Sequence, residues 1–246
     1  GPTTSTRACP SIDGSVVSGF QTIEIAGIPI RMQVPGDIDA RRDDLAHANP
    51  DSAAIRDERL PYWADLWPSS IALAEELLRT PPFCPDDQIL EIGCGLGLAS
   101  IAAGLRGGRV IMTDYLPEAG RAARRNWAAN IDTPPEVRQM DWRAPEPGLR
   151  ADLILAADVA YEKRSFQPLI KAFKTLLLPD GKILLAEPRR WMFRPFIDSL
   201  DEQGFHRETK TRKTTIGNRV VLVDIHALAI RCPPPPITRG QQSAGK

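Results

Sequence analysis

Three closely spaced glycines and two acidic residues form the cluster in this sequence whose residue types and spacing could do chemistry. Gly93, Gly95 and Gly97 fall within five residues, with Glu91 just before them and Asp114 after them. Glycines let a ligand approach backbone N–H groups where a Cβ would collide with it. Carboxylates suit a ligand that presents hydroxyl donors or a positive charge. The cluster therefore indicates a nucleotide-binding site.

The spacing of the glycines bears on which nucleotide is bound. Dinucleotide sites use G-x-G-x-x-G, whereas here the third glycine comes one residue earlier. Glu91 would repel a pyrophosphate but tolerates a ligand with a sulfonium and an ammonium group. Asp114 could bind a ribose diol. These features favour S-adenosylmethionine; the alternatives are NAD and a glycine turn that is merely tight.

Strands and helices of an α/β sheet must position these residues. The apolar, β-branched run 89–92 predicts a buried parallel strand, 98–106 predicts a helix, and 109–114 predicts a second strand. Further strands, with helices between most of them, are predicted at 136–140, 152–157, 182–187, 205–213 and 220–230. This alternation predicts a mostly parallel sheet whose final hairpin supplies an antiparallel edge strand.

The remaining segments flank this sheet. Residues 21–25 and 28–34 predict a hairpin, and the charged segment 37–59 is interpreted as a cover over the site. Residues 1–18, which begin with a Gly-Pro typical of a tag scar, and residues 233–246 are predicted to be disordered tails. A single domain is expected over 19–232, with 19–59 as its hairpin and cover.

Acidic and aromatic residues follow the later strands of the predicted sheet. Asp141 could accept a hydrogen bond from an adenine amino group, although a turn-forming Asp beside a packed Trp142 is the alternative. Asp158 could orient an amine, and the ring of Tyr161 or Trp63 could stabilise a methylammonium product. The alternative for Asp158 and Tyr161 is a helix cap beside a half-buried ring. Ligands of open α/β sheets bind at this edge of the sheet.

Composition excludes several classes of function. The chain has 31 basic and 31 acidic residues, so it lacks the positive charge of nonspecific nucleic-acid binding, and no apolar run suggests a membrane span. Its four cysteines show no C-x-x-C spacing, and with three histidines no metal site is expected. Hydrolase motifs are absent from the sequence. We expect a cytoplasmic protein that is monomeric and binds neither nucleic acid nor membrane.

The motifs together resemble the family-16 class I protein methyltransferases, which mostly methylate lysine side chains of particular proteins. The resemblance extends from Phe20 to about Ile230 and is carried by Trp67-Pro68, the run from Glu91 to Leu98, Asp114, Asp141-Trp142 and the D-x-x-Y tetrapeptide that begins at Asp158. It implies a Rossmann-like seven-stranded sheet with an antiparallel last strand, preceded by a β-hairpin.

The resemblance also implies roles for individual residues. Asp158 and Tyr161 are expected beside the target amine, and S-adenosylmethionine is the expected cofactor. The substrate would be a protein that presents a lysine, with Tyr62, Trp63 and Arg189 as candidate contacts. A small-amine (nicotinamide-like) methyltransferase and a non-catalytic cofactor-binding protein are the alternatives. The predicted cofactor-binding residues are Trp67, Glu91, Gly93, Cys94, Gly95, Gly97, Asp114, Tyr115, Asp141, Trp142, Ala157 and Asp158.

Overall fold

The computed structural model describes residues 19–35, 62–160, 162–189 and 191–230. The predicted tails at 1–18 and 233–246, and the cover segment 37–59, lie outside these residues. Among the described residues, no helix combines the length and the apolar character that crossing a membrane requires.

A seven-stranded sheet forms the centre of the fold. In spatial order its strands are β5, β4, β3, β6, β7, β9 and β8. Their bounds in chain order are β3 Gln88–Ile92, β4 Arg109–Asp114, β5 Glu136–Gln139, β6 Ala151–Ala157, β7 Leu177–Pro188, β8 Phe205–Ile216 and β9 Arg219–Ile230. A separate antiparallel pair, β1 Gln21–Ile25 and β2 Ile28–Met32, precedes them. The predicted sheet, its antiparallel last strand and the N-terminal hairpin are confirmed.

The antiparallel strand does not lie at the edge of the sheet, contrary to the sequence prediction. β9 pairs with β7 on one side and with β8 on the other, and β8 is the edge strand. The physical reason is composition: β9 buries Val223, Ile225 and Leu228, whereas β8 is rich in Lys, Arg and Thr. Charged side chains are well suited to an exposed edge, and apolar ones to an internal strand.

Five helices cover the two faces of the sheet, at α1 Pro68–Arg79, α2 Leu98–Leu105, α3 Pro117–Ala128, α4 Lys163–Leu176 and α5 Arg194–Glu202. Helices α1 to α3 pack on one face through residues such as Leu73, Ile101 and Trp127. Helices α4 and α5 pack on the other face through Phe173 and Phe196. The parallel strands are consequently buried on both sides, as their continuous apolar runs predict.

Residues 178–181 form an irregularity inside β7, which begins before the strand predicted at 182–187. Leu177 pairs with Ala151, and the register then shifts so that Lys182 pairs with Leu153. Asp180 has a left-handed backbone with φ of 63°. The Pro-Asp-Gly sequence therefore produces a bulge, which lets the strand begin five residues earlier than its apolar run.

Two asparagines four residues apart, Asn126 on α3 and Asn130 just after its end, hold the N-terminal hairpin against the sheet domain. The Asn130 side chain accepts from Arg31 N at 2.8 Å and donates to Arg31 O at 2.7 Å. Asn126 accepts from Gln33 N at 2.8 Å and donates to Leu96 O at 3.0 Å. Asn126 is fully buried, and it therefore links the hairpin to the glycine-rich loop before α2.

The buried carboxylate of Glu76 joins α1 to the edge strand β8. Its Oε1 lies 3.0 Å from Lys210 Nζ, and its Oε2 accepts from Arg212 Nε at 2.8 Å. Burial alone would raise the pKa of Glu76, but Arg212 and Lys210 outweigh it and hold the pKa below the ordinary value. Because the folded-state pKa is lowered, the stabilisation is present above pH 4.5 and is lost as the pH falls through the folded-state value.

Replacing Glu76 with Gln should lower the free energy of unfolding at pH 7 by roughly 1–2 kcal/mol, because one hydrogen-bonded charge partner is lost. The deficit should shrink as the pH is lowered, because the wild-type carboxylate is then protonated. Urea denaturation across pH 3 to 8 measures both effects. Glu75→Gln, which removes the exposed pair with Arg79, is the control and should change stability by a few tenths of a kcal/mol. Equal effects of the two substitutions would contradict the assignment.

Candidate functional site

A cavity of about 580 Å³ lies at the carboxyl ends of β3, β4 and β6. The α/β fold places ligand sites at this edge, where the strand order reverses between β3 and β6. Its wall contains most of the predicted site residues, namely Trp63, Trp67, Glu91, Gly93, Cys94, Gly95, Asp114, Tyr115, Asp141, Trp142, Ala157 and Asp158. A second cavity, of about 380 Å³, lies near the starts of β3 and β4 and contains none of them.

The glycine-rich loop between β3 and α2 has the backbone that the sequence predicts. Gly93, Gly95 and Gly97 have φ values of 67°, 52° and 82°. A Cβ on Gly97 would lie 3.1 Å from Ala123 Cβ, so space as well as conformation requires glycine there. Gly93 and Gly95 belong to the cavity wall, but Gly97 does not. Gly97 is instead the cap residue of α2, where it lets the helix begin close to α3.

Asp114 connects the end of β4 to the glycine-rich loop. Its Oδ2 accepts from Gly95 N and its Oδ1 accepts from Leu116 N, both at 3.0 Å. Burial raises the pKa of Asp114, and backbone N–H groups counteract part of that rise. Each carboxylate oxygen keeps acceptor capacity, so the carboxylate can still receive hydroxyl donors from a ligand in the cavity.

Glu91 is buried below the cavity and contacts the first turn of α2. Its Oε2 accepts from Ser100 N at 3.0 Å and from the Ser100 hydroxyl. Burial, together with the negative charge of Asp114, raises the pKa of Glu91 from 4.5 to about 7, although the Ser100 hydrogen bonds lower it. Glu91 therefore fixes the start of α2 while presenting a titratable carboxyl to the cavity.

Asp141 and Tyr115 are linked by an arginine that the sequence analysis missed. Arg143 N donates to Asp141 Oδ1 at 2.9 Å, and the two side chains form an ion pair at 2.8 Å. The Arg143 guanidinium also lies 5.4 Å from the centre of the Tyr115 ring. Burial would raise the pKa of Asp141, but hydrogen bonds from Arg143 hold it below the ordinary value. The contact between Arg143 and Asp141 could not be predicted from residue spacing, because it depends on the turn that follows β5.

Aromatic residues form the wall opposite the strand ends. Trp67 is the cap residue before α1, and its carbonyl accepts from Ser70 N at 3.0 Å and from Ser70 Oγ at 2.8 Å. Trp63 lies in a short 3-10 turn whose backbone approaches Gly95, and Trp142 lies beside Gly93. The Cys94 thiol is also buried, which raises its pKa well above the ordinary value.

Asp158 follows the end of β6 and has an unusual backbone. Its φ is 55°, a left-handed conformation that non-glycine residues rarely adopt, and its N–H donates to Ala186 O at 2.9 Å. This conformation points to a functional position, because such strain persists where a site requires it. Glu162 and Arg164, which form an ion pair at the same side of the cavity, were not identified from sequence. Tyr161 and the side chain of Tyr62 lie outside the described part of the structure.

Two residues at the end of β7 are not part of the cavity wall. Glu187 is buried and pairs across the strands with Asp224. Arg189 forms an ion pair with Asp224 at 3.1 Å. Both residues lie at the end of β7, which is one strand further from the centre of the site than β6. Arg189 remains on the same edge of the sheet as the cavity.

The strand order, the loop between β3 and α2, and the acid that ends β4 define a nucleotide-binding α/β protein of the class I methyltransferase type. The fold is similar to that of P. horikoshii TYW2 in complex with MeSAdo, with a TM-score of 0.54 and 17% identity, covering 88% of this chain and 73% of that one. The lysine methyltransferase family model matches residues 61–203, which is more than half of the chain. The chain belongs to this lysine methyltransferase family.

Curated relatives agree with this family. The chain is 33% identical over 135 residues to the electron transfer flavoprotein beta subunit lysine methyltransferase of Xenopus laevis, covering 54% of each protein. It is 31% identical over 168 residues to EEF1A lysine methyltransferase 3 of Mus musculus, covering 65% of this chain and 71% of that protein. The chain thus spans about half the length of the Xenopus relative.

Replacing Glu91 with Gln should change how stability depends on pH. Because the folded-state pKa is raised from 4.5 to about 7, the stabilisation from Glu91 is complete below pH 4.5 and is lost as the pH rises through 7. Gln stays neutral, so this decrease should be absent from the variant. Denaturant unfolding at a series of pH values measures it. Glu76→Gln provides the comparison, because it should alter the acid side of the profile instead. An unchanged slope between pH 4.5 and 7 would contradict the buried titration.

Proposed function

We propose that this protein is an S-adenosylmethionine-dependent N-methyltransferase that methylates a lysine side chain of a specific protein. The observation that carries this proposal is the convergence of Asp158 on the same cavity as the glycine-rich loop and Asp114. Family membership and the names of the curated relatives support the same function. A cytoplasmic location and a monomeric state belong to this proposal as predictions from composition.

The residues around the glycine-rich loop fit the proposed cofactor. A Cβ at Gly95 would approach Trp63 O to 3.3 Å, so the loop keeps open a cradle that larger residues would fill. Asp114 would accept the ribose hydroxyls, and Asp141 would accept an adenine amino group beside Tyr115 and Trp142. Glu91, with its raised pKa, would face the cationic part of the ligand and become ionised when that charge is present.

When bound, the cofactor would supply a methyl group on a sulfonium, which would pass to the lone pair of an attacking nitrogen while the neutral thioether leaves with the S–C electron pair. The lysine must attack as the neutral amine, so its ammonium proton must first pass to solvent. The protein must hold that nitrogen in line and partly dry, and such positioning accounts for most of the rate gain in displacements of this kind. Asp158 would orient the amine by a hydrogen bond. The predicted partner in this role is Tyr161.

A lysine side chain suits the entrance of this cavity. Asp65 and Asp158 are both acidic and form part of its wall, so they would attract an ammonium group. The aromatic wall at Trp63 and Trp67 would cover the long aliphatic part of a lysine and favour a methylammonium product. These features favour an amine acceptor over a hydroxyl or nucleic-acid acceptor.

Replacing Asp158 with Asn or Ala should reduce methyl transfer about 100-fold, because the amine loses its orienting carboxylate. The affinity for S-adenosylhomocysteine should change little, since Asp114 and the glycine-rich loop remain. Incubation with tritiated S-adenosylmethionine and a cell lysate measures transfer as labelled protein bands, and calorimetry measures cofactor binding. Mass spectrometry of the labelled band should locate the methyl group on lysine.

Asp198→Asn is the matched control, because Asp198 is an exposed carboxylate on α5 that pairs with Arg194. It should leave both labelling and cofactor affinity unchanged. Label confined to the small-molecule fraction would instead indicate a small-amine methyltransferase. Absence of any label, with an unaltered cellular phenotype in a folded Gly95→Arg variant, would indicate a non-catalytic cofactor-binding protein.

A further inference from the structure

The hairpin of β8 and β9 extends beyond the edge of the sheet on which the cavity opens. β7 ends at Pro188, which is paired with Val223, whereas β9 begins four residues earlier at Arg219. Residues 219–222 therefore lie past the end of β7, together with their partners 213–216 in β8. We call these two segments the hairpin tip. At about 3.4 Å per residue, the hairpin tip rises roughly 13 Å above the end of β7.

One face of the hairpin tip carries exposed apolar side chains. Directly paired residues share a face, so Leu222 lies with Lys213, and Val220 lies with Thr215. Val220 is 65% exposed and Leu222 is 39% exposed. His226 lies on the same face of β9, further from the hairpin tip, and it stacks on Phe193 with ring centres 6.0 Å apart. Because Phe193 directly precedes α5, this is the face of the sheet that α5 covers.

The segment after β7 adds a large aromatic residue to this face. Arg189 N donates to Leu222 O at 3.1 Å, which fixes the start of the segment beside the hairpin tip. Trp191 follows in a short turn that ends at Phe193, and it is 88% exposed. Trp191, Val220 and Leu222 are three of the exposed large apolar side chains among the described residues. The contacts of Arg189 with Leu222 and of Phe193 with His226 hold the segment that carries Trp191 beside this face. Exposed apolar residues in such a group mark an interaction surface.

The charge of this region complements an acidic partner. β8 and β9 together contain five Lys or Arg residues against two acidic ones, although the whole chain has no net charge. Lys210 and Arg212 are neutralised by Glu76 on the opposite face. Lys213, on the apolar face, has no carboxylate partner among the residues that the structure describes. The cavity entrance, by contrast, presents Asp158.

We propose that Trp191, Val220, Leu222 and Lys213 form a docking surface for the protein substrate, and this inference rests on the proposed lysine methylation. The surface would bind a segment that carries an apolar side chain next to an acidic one. β9 is two strand spacings from β6, about 10 Å, and an extended chain covers about 3.3 Å per residue. Because Leu222 and Val220 also lie about two to four residues above the level of Asp158, the segment lies about four or five residues from the methylated lysine.

Peptide binding tests this surface without requiring turnover. The full chain, saturated with S-adenosylhomocysteine, is titrated into fluorescein-labelled peptides that each contain one lysine, and anisotropy is measured. Leu-Glu is placed about four residues before or after the lysine, and Ser-Ser or Leu-Lys replaces it in the comparison peptides. One of the two Leu-Glu peptides should bind about tenfold more tightly than its Ser-Ser counterpart.

Substitutions in the protein then locate the effect. Trp191→Ser and Leu222→Ser should remove most of the tenfold preference, because the apolar contact is lost. Lys213→Glu should make the Leu-Lys peptide the tighter ligand. Leu105→Ser, at an exposed apolar residue at the end of α2, and Lys182→Glu, at an exposed lysine just after the bulge in β7, are the controls and should change nothing. Affinity for S-adenosylhomocysteine should stay the same in all five variants.

Several outcomes would overturn the docking surface. Two of these are equal affinity for all peptides and an equal loss of peptide preference in the control variants. The others are dimerisation of the wild-type protein, or its binding to phosphatidylserine vesicles, where Leu222→Ser abolishes that association. The last two would assign the surface to a second copy of the chain or to a membrane. Selective peptide binding without methylation of any lysine would leave the surface in place and overturn the proposed function instead.

Discussion

Two buried carboxylates hold the glycine-rich loop, and the geometry of the site depends on their hydrogen bonds. Glu91 binds Ser100 in the first turn of α2, and Asp114 binds Gly95 N. Burial raises the pKa of both carboxyl groups, and the charge of Asp114 adds to the rise at Glu91. Hydrogen bonds from Ser100 and from backbone N–H groups offset only part of this cost. A ligand that brings positive charge and hydroxyl donors would relieve the rest.

The same loop is tied to the N-terminal hairpin through one side chain. Asn126 donates to Leu96 O within the loop and accepts from Gln33 N just after β2. Because Asn126 is fully buried, neither hydrogen bond can be exchanged for water without cost. The position of the hairpin and the shape of the cofactor cradle are therefore set together. The hairpin therefore affects the site by helping to position the glycine-rich loop, and not by supplying a reactive group.

Local patterns explain which parts of this site could be predicted from sequence. The glycine-rich loop needs glycine at fixed positions, and Asp114, Asp141 and Asp158 end parallel strands that share one edge, so spacing alone brings them together. Arg143 and Glu162 act through side-chain pairs formed after folding, and no periodicity marks them. Arg189, a predicted substrate contact, pairs with Asp224 because β9 lies beside β7, and no local pattern reveals that pair. Strand order is a long-range property that hydrophobic patterns do not encode.

Overall charge conceals how the charges of this chain are arranged. The balanced totals of 31 basic and 31 acidic residues argue against a general affinity for polyanions. In the folded protein, however, acids collect at the strand ends around the cavity while Lys213 and Arg219 lie on the projecting hairpin. At physiological ionic strength the Debye length is about 8 Å, so each charged region acts mainly on the part of a ligand that lies against it. A small amine would sense only the acidic cavity, whereas a polypeptide is long enough to respond to both regions. The arrangement therefore suits a substrate with a lysine and an acidic residue at a fixed separation.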